Sequence, residues 1–376
     1  MSRLVRSTPK ADGYRMPAEF EPHRQTWMLW PYRSDLWRNG GKPVQRTFVE
    51  LAALISQFEP VTVGASQNQF ATARSKLPEH IRVVEMSYND VWVRDHGPTF
   101  VVNDNGDVRG VDWGFNAWGG LNGGLYFPWD LDDLVPQKIL AIENIDRYKP
   151  ENFILEGGSI HVDGQGTLLT TEECLLNPNR NPHLNKVQIE NMLREYVSVE
   201  KIIWLKKGNY EDCTDGHVDI LAAFIRPGVV VLHWTDDKND PQHEISADAY
   251  ERLMHATDAC GRKLEVHKIH SPAVSYVTEK EANGIDVIEG SLPLTEGLRL
   301  DQSYINFYMA NGCAVVPTFN DPWDNKALDK LATLMPERKV FGINGREVVI
   351  PGGIFHCITQ QQPIGISQSA PACKGE

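Results

Sequence analysis

The chain is poor in basic residues and contains no long apolar run. Its 376 residues include 37 Lys and Arg against 50 Asp and Glu, which gives a net charge of −13. Nucleic-acid binding depends on clustered Lys and Arg that contact phosphates, so this composition argues against a nucleic-acid partner. No apolar stretch approaches the roughly 20 residues that span a bilayer, and the first residues lack the apolar segment of a secretion signal. We therefore expect no membrane partner and a cytoplasmic location.

Closely spaced cysteine pairs are absent as well. The six cysteines are scattered, with no C-x-x-C pair, which argues against a structural zinc site and against a redox motif. For Cys174, Cys260 and Cys313 we expect the ordinary role of small core residues. The hydrophobic content of 41% is sufficient for a sizeable core. Two domains or one large closed architecture would both fit this length.

A weak internal repeat organises the chain. Five times, a polar or glycine-rich motif leads into a short apolar strand, a turn and a second apolar strand. The fifth copy is the segment around Cys357. The other predicted hairpins cover residues 94–113, 156–169, 217–232 and 303–317. Turns such as Asn311-Gly312 between apolar runs are strong hairpin signals.

Helical patterns follow the hairpins, and each helix is followed by a further strand. Apolar residues at helical spacing predict helices over residues 44–58, 187–196, 246–259 and 321–335. Strands are predicted for residues 61–65, 201–205, 263–267 and 339–342. Such ββαβ-type units, at intervals of roughly 60–85 residues, predict an α/β fold. Five units could close into a ring that brings the hairpin starts near one axis. An α+β fold without closure is the alternative.

Cys357 has the strongest local signature for chemistry. It follows Gly352-Gly353, where the backbone can approach a ligand closely, and it is adjacent to His356. A free thiol has a pKa of about 8.5, so a cationic neighbour or a cationic substrate would favour the reactive thiolate. The alternative is an inert buried cysteine.

Two earlier segments could supply the partners of such a thiol. On a strand, His217 and Asp219 would share one face and form a carboxylate–imidazole pair suited to acid–base catalysis. Trp92 lies three residues before Asp95, and an aromatic wall beside a carboxylate suits a guanidinium or ammonium ion. Taken singly, each residue also has a structural interpretation, such as a core tryptophan or an Asp95–Arg94 ion pair.

The same residue types could bind a metal ion. The candidate ligands are His161, Asp163, His217 and Asp219, but no H-E-x-x-H or comparable set is present. We therefore expect neither a catalytic metal nor a cofactor.

Several motifs together resemble those of the agmatine deiminases, a family of the guanidine-modifying superfamily known as penteins. The resemblance covers nearly the full length, and its matching stretches are residues 17–22, 89–98, 115–120, 155–158, 216–219 and 356–361. It implies a five-bladed α/β propeller, in agreement with the repeat. It also implies a single catalytic domain over residues 1–376.

The resemblance further implies a reaction and its catalytic residues. Agmatine plus water would give N-carbamoylputrescine plus ammonia, a step of polyamine metabolism and putrescine biosynthesis. By this resemblance Cys357 is the nucleophile that attacks the guanidinium carbon. Asp95 and Asp219 grip the guanidinium nitrogens. His217 protonates the departing ammonia and then activates water.

The remaining site residues implied by the resemblance contact the substrate. Trp92 and Trp118 correspond to walls of the pocket, Glu156 to the acidic residue of the EGG motif, and Gly353 to the glycine run beside the nucleophile. The chain also departs from the family pattern. Residues 351–355 read Pro-Gly-Gly-Ile-Phe where three glycines and an asparagine are usual, and Ile220 stands where Asn or Asp is frequent.

Three other functions are compatible with the sequence. An arginine or peptidyl-arginine deiminase should offer Lys or Arg near the substrate tail, which agmatine does not need because it lacks the carboxylate of arginine. A weakly active paralogue would fit the departures at Pro351 and Ile354. A non-catalytic propeller that binds a macromolecule is disfavoured because the four catalytic side chains are retained. A homo-oligomer is compatible with each of these functions.

Overall fold

Five small β-sheets organise residues 2–365, the part of the chain that this computed structural model describes. The strands are β1 Leu4–Val5, β2 Tyr14–Arg15, β3 His23–Leu29, β4 Val61–Ala65, β5 Arg82–Glu85, β6 Thr99–Asn103, β7 Val108–Val111, β8 Arg147–Tyr148, β9 His161–Val162, β10 Thr167–Thr171, β11 Lys201–Leu205, β12 Ala222–Arg226, β13 Val229–Trp234, β14 Glu265–His270, β15 Tyr308–Ala310, β16 Cys313–Thr318, β17 Lys339–Asn344 and β18 Gln360–Pro363.

The helices lie between these strands. They are α1 Lys42–Ile55, α2 Phe70–Lys76, α3 Val93–His96, α4 Asp130–Asp133, α5 Val135–Ile142, α6 Glu172–Leu175, α7 Lys186–Val197, α8 Gln242–His255, α9 Glu279–Ala282, α10 Asp324–Leu334 and α11 Arg346–Val349. Two 3₁₀ turns, Gly157–Ser159 and Val218–Ile220, carry residues of the site described below. No helix within residues 2–365 is both long enough and apolar enough to cross a membrane.

The five sheets share one connection pattern. In each, an antiparallel pair is extended by a parallel strand, and a helix connects the two parallel strands. The antiparallel pairs are β6–β7, β9–β10, β12–β13, β15–β16 and β18–β3. The parallel partners are β8, β11, β14, β17 and β4, reached through α5, α7, α8, α10 and α1. This is the ββαβ-type unit that the sequence predicts.

Most predicted elements agree closely with the observed ones, and the fourth hairpin shows a clear difference. The strands predicted at 61–65 and 201–205 coincide with β4 and β11. The predicted strand at the start of the fourth hairpin is wrong for residues 303–307, because β15 begins only at Tyr308. The Ser303 hydroxyl accepts a hydrogen bond from the Ile305 amide and donates one to the Ile220 carbonyl, so this stretch is a turn.

The fifth unit joins the two ends of the chain. Strand β18 pairs antiparallel with β3, with Gln360 opposite Trp27 and Gln361 opposite Thr26. The segment after Cys357 therefore completes its hairpin with a strand more than 330 positions earlier. A hydrogen bond of 2.7 Å between the side chains of Gln25 and Gln362, 337 positions apart, also links these two strands.

Apolar side chains fill the space between each sheet and its helices. The largest of the four core clusters contains Trp27, Phe48, Trp92 and Cys357, so the candidate nucleophile borders the main core. Cys174 and Cys313 are buried, as expected, whereas Cys260 is half-buried.

Candidate active site

A narrow cavity opens above Cys357. Loops that precede or follow the strands of different sheets form its lining. The lining residues are Leu36, Trp92, Asp95, Trp118, Leu125, Tyr126, Cys213, Thr214, Pro351, Gly352, Gly353 and Cys357. Asp95 is the charged residue of this set, and none of the described lining residues is Lys or Arg. A cavity of this kind suits a slender cation.

Tryptophan rings form the walls of the cavity. Trp92 stacks on Trp37 at a centroid distance of 5.3 Å, and it meets Trp118 edge to face at 6.3 Å. A Cβ atom at Gly353 would clash with the Trp92 ring, so only glycine lets this loop lie against the wall. The Trp118 indole nitrogen donates a hydrogen bond of 3.0 Å to Asp95 Oδ2, which ties the wall to the carboxylate.

Three charged or titratable groups meet at Gly158. A Cβ atom there would lie 2.6 Å from His217 Nδ1, 2.7 Å from Asp95 Oδ1 and 3.0 Å from Asp219 Oδ2. The Gly158 amide itself donates to Asp95 Oδ1 at 2.9 Å. The absence of a side chain at Gly158 is therefore what allows the imidazole and both carboxylates to converge.

Cys357 lies at the same place. Its Sγ atom is 3.7 Å from Asp219 Oδ2 and 3.4 Å from Asn306 Oδ1, and the residue is buried. Burial, together with the negative charges of Asp219 and Asp95, raises the pKa of the Cys357 thiol well above its ordinary value. These surroundings favour the neutral thiol, and a cation between the carboxylates would favour the thiolate.

His217 and Asp219 reach the site from a turn and not from a strand. His217 directly precedes the 3₁₀ turn Val218–Ile220, so the predicted strand alternation is wrong here. Both side chains still reach one site, since His217 Nδ1 and Asp219 Oδ2 both lie at Gly158. His217 Nδ1 lies 3.7 Å from Asp95 Oδ1. Burial opposes charge on the His217 ring, but Asp95, Cys174 and Asp219 together outweigh it, and the pKa of His217 is raised.

A chain of ionic hydrogen bonds holds Asp219. His356 Nδ1 is 2.7 Å from Asp219 Oδ2, and His356 Nε2 is 2.7 Å from Glu19 Oε2. Glu19 in turn accepts bonds from the Arg94 guanidinium at 3.2 Å and from the Met309 amide at 2.7 Å. Despite burial, the His356 hydrogen bond holds the pKa of Asp219 below its ordinary value. Asp219 is therefore an anion in the folded protein.

The two carboxylates of the site differ in their surroundings. Burial raises the pKa of Asp95, and the charges of Asp219 and Glu156 add to this effect while His217 opposes it. The imidazole beside Asp95, that of His217, lies at 3.7 Å, whereas the His356 imidazole is bonded to Asp219 at 2.7 Å. A cationic substrate would supply the missing charge at Asp95.

Glu156 lies behind the cavity and outside its lining. It is fully buried, and its Oε1 atom accepts a hydrogen bond of 2.7 Å from Arg180 Nε. Arg180 also binds the Thr214 carbonyl and Asp215, so it connects the Glu156 turn to the loop before His217. This geometry places Glu156 next to His217 and not against the ligand space.

The structure adds residues that the sequence interpretation did not assign to the site. Glu19, Asn306, Arg180 and Cys174 lie on four different segments, and His356 was considered only as a neighbour of Cys357. Glu19 lies in one of the matching stretches, residues 17–22, which was a usable signal. Asn306 and Arg180 had none, since an isolated Asn or Arg has no local pattern that marks it.

The chain is similar to known proteins over nearly its whole length. A model of the Porphyromonas-type peptidyl-arginine deiminase family matches residues 15–363. The agmatine deiminase of Pseudomonas aeruginosa (strain UCBPP-PA14) is 58% identical over 358 residues, which cover 95% of this chain and 97% of that protein.

Solved structures show the same likeness. The structure of the Enterococcus faecalis agmatine deiminase superposes with a TM-score of 0.95 at 53% identity, and the match covers 97% of this chain and 100% of that one. A C. jejuni agmatine deiminase with substrate bound gives a TM-score of 0.81 at 28% identity, over 94% and 97% of the two chains. The chain therefore belongs to the Porphyromonas-type peptidyl-arginine deiminase family, and these relatives are agmatine deiminases.

Proposed function

We propose that this protein is an agmatine deiminase, a hydrolase that converts agmatine and water to N-carbamoylputrescine and ammonia. The observation that carries the proposal is the convergence of Cys357, His217 and two carboxylates at Gly158, beneath an aromatic cavity without basic lining. The relatives of high identity and nearly full coverage support the same reaction.

The geometry supports a covalent mechanism. The guanidinium of agmatine binds between Asp95 and Asp219, where Asp219 Oδ1 has no hydrogen-bond partner among residues 2–365 and can accept from the substrate. Each charge-assisted bond contributes roughly 1.5–3 kcal/mol. The positive substrate lowers the cost of ionising Cys357, whose proton passes to solvent, and the thiolate attacks the guanidinium carbon.

Proton transfers through His217 complete the cycle. The imidazolium donates its proton to the departing nitrogen, and ammonia leaves an amidino group bonded to the Cys357 sulfur. The neutral imidazole then takes a proton from water, which attacks the same carbon and releases N-carbamoylputrescine as the C–S bond breaks. The chemistry uses side chains of this chain, and no step requires a cofactor.

The cavity lining favours agmatine over arginine. An arginine deiminase must neutralise the substrate carboxylate, and Lys or Arg near the tail would do so. The described residues that line the cavity offer instead Leu36, Leu125, Tyr126 and Thr214 beside the tryptophans. An arginine carboxylate here would lose its hydration without gaining a cationic partner.

We further infer that the five sheets close into a five-bladed propeller that forms one catalytic domain over residues 1–376. The support is the shared connection pattern and the β18–β3 pairing, which builds the fifth unit from both ends of the chain. Ring closure explains how residues from positions 95, 158, 217 and 357 reach one point. A cytoplasmic location and a small-molecule partner are consistent with this fold and function.

An ammonia-release assay that compares agmatine with free arginine and a peptidyl-arginine tests the function. We expect turnover of agmatine and at least a hundredfold lower kcat/KM on the other two, as a rough bound from an unpaired buried carboxylate. Cys357→Ala should abolish turnover but still bind agmatine, whereas Cys313→Ala, a buried thiol in β16, is the matched control. Preferred turnover of arginine, or full activity of Cys357→Ala, would refute the proposal.

A further inference from the structure

Behind His217, away from the cavity, the structure brings together three side chains of the types that bind zinc. One ligand atom each from Glu156, Cys174 and His217 lies within 4.8 Å of the other two, and all three residues are buried. Glu156 and His217 belong to the 3₁₀ turn regions of two different sheets, and Cys174 lies in α6. A thiolate, an imidazole and a carboxylate form a donor set that suits a tetrahedral Zn²⁺ site with one further position open.

Two of these residues carry a buried atom that lacks a hydrogen bond of regular geometry. Glu156 Oε2 and His217 Nε2 have no such partner among residues 2–365, although the Cys174 thiol interacts with the His217 ring. Buried polar atoms are nearly always bonded, so such a pair calls for an explanation. A cation between the three side chains would satisfy both atoms at once.

The surroundings of Glu156 resemble the second layer of a metal site. Arg180 Nε binds Oε1 at 2.7 Å and so fixes the carboxylate while leaving Oε2 free. The guanidinium is itself held by Asp215 and by the Thr214 carbonyl, each at 2.7–2.8 Å. Outer hydrogen bonds of this kind orient the carboxylates that bind metals.

Cys174 is also fixed in place. Its amide donates to the Thr171 side chain at 3.1 Å, which caps α6, and the Cys174 side chain is fully buried. It is a free cysteine, and the mechanism above gives it no role. Zn²⁺ binding would displace the thiol proton of Cys174 and one imidazolium proton of His217 to solvent, and the loss of these two protons balances the two charges of the incoming ion.

A second cluster provides a useful contrast. Glu19, His161 and His356 also lie within 4.8 Å of one another. There, however, Glu19 Oε2 is already bonded to His356 Nε2 and to Arg94, and His161 Nδ1 accepts from the Phe224 amide. That cluster is an internally satisfied hydrogen-bond network, whereas the cluster at Cys174 is not.

We propose that Glu156, Cys174 and His217 form an inhibitory Zn²⁺ site. The inhibitory effect rests on the proposed role of His217 as the acid–base residue, but binding itself does not. A metal ion on a ring nitrogen of His217 occupies its lone pair and fixes the ring, so the imidazole can no longer exchange a proton with ammonia or water. The ion would enter through the cavity, past Asp95, whose charge attracts it.

Direct binding is measured on the Cys357→Ala protein, which removes the nucleophile as a competing thiolate ligand. We expect it to bind one equivalent of Zn²⁺ by isothermal titration calorimetry. With Co²⁺ as a probe, we expect a thiolate-to-cobalt charge-transfer absorption. Adding Cys174→Ala should weaken binding at least about tenfold and abolish the absorption. Adding Cys313→Ala, a buried thiol far from this cluster, should change neither. Near-ultraviolet circular dichroism of each metal-free protein reports whether its packing is intact.

Inhibition is then measured on proteins that retain Cys357. Zn²⁺ should inhibit agmatine turnover by the unsubstituted chain, and a chelator should restore it. Cys174→Ala should raise the inhibitory Zn²⁺ concentration at least about tenfold, and Cys313→Ala should leave it unchanged. Loss of Zn²⁺ binding in Cys357→Ala, or equal inhibition of Cys174→Ala, would place the ion at the nucleophile and overturn the proposal. If agmatine is not the substrate, the Co²⁺ experiment still decides whether the site exists.

Discussion

The Glu19–His356–Asp219 chain leads to a specific prediction for the variant Glu19→Gln. In the structure, His356 is held between two carboxylates at 2.7 Å each, and this arrangement keeps the imidazole protonated. Burial and Arg94 oppose the charge on His356, but Glu19 and Asp219 together raise its pKa. Glutamine removes one of the two anions, so the pKa of His356 must fall.

The expected kinetic effect follows from the bond between His356 and Asp219. When His356 becomes neutral, its hydrogen bond to Asp219 loses about half its strength, since charge-assisted bonds are roughly twice as strong as neutral ones. A loss of about 1.4 kcal/mol in the grip on the guanidinium corresponds to about a tenfold lower kcat/KM. Because deprotonation of His356 is the cause, the loss should be largest at alkaline pH and should diminish as the pH falls.

The effect of Glu19→Gln on stability should also diminish in acid. The pKa of Glu19 lies below its ordinary value in the folded protein, because His356 and Arg94 outweigh the effect of burial. Its charge therefore stabilises the fold above the unfolded-state pKa of about 4.3, and this contribution is lost as the pH falls below that value. Removing one partner of a buried ionic pair costs about 3–5 kcal/mol at neutral pH. The difference between Glu19→Gln and the unsubstituted chain should therefore shrink in acid.

Glu59→Gln is the matched control. Glu59 is also a buried glutamate that binds a histidine, His23 Nδ1 at 3.1 Å, and a backbone amide, that of Asn311 at 2.7 Å, but it does not contact the cavity. Urea unfolding should show destabilisation of both variants. Steady-state ammonia release over a range of pH should show an altered profile for Glu19→Gln alone. Superimposable pH profiles for the two variants would refute the positioning role of His356.

Three further predictions concern His217, Gly158 and the buried carboxyl group of Asp132. His217→Ala should stall after the first chemical step, so intact-mass spectrometry should find an amidino adduct on Cys357; an unmodified protein after incubation with agmatine would contradict the assigned acid–base role. Gly158→Ala places a methyl group 2.6 Å from His217 Nδ1 and 2.7 Å from Asp95 Oδ1. In a folded protein, kcat/KM should therefore fall about a hundredfold. Near-normal kinetics would show that the imidazole and the carboxylate need not converge. Burial raises the pKa of Asp132 to about 7, so the fold favours the protonated carboxyl group. The free energy of unfolding should therefore decline as the pH rises from about 4 to about 7. Asp132→Asn should flatten that decline in urea titrations, and an unchanged slope would show that Asp132 does not cause it.

Local patterns were sufficient for the elements and for the repeating unit. Apolar runs bounded by turn residues fix β4 and β11, because strand formation there depends on side chains within five residues of each other. The four predicted helices agree with α1, α7, α8 and α10 to within a few residues, since one apolar face specifies each. The strand prediction at Ser303 was wrong because a distant partner decides the structure there. The Ser303 hydroxyl donates a hydrogen bond to the Ile220 carbonyl, 83 positions away.

For the candidate site, too, the sequence determined some features and the tertiary structure determined others. By itself, the sequence determined the residue types, because Cys357, His217, Asp95 and Asp219 each lie in a recognisable short motif. Only the tertiary structure decided that Gly158 leaves room for three of them and that His356 and Glu19 hold Asp219. It also placed Arg180 on Glu156, so that Glu156 lies behind His217 and outside the cavity lining. The physical reason is that a buried charge takes its pKa and its orientation from the groups within a few ångströms, and in this fold those groups come from segments up to 337 positions apart.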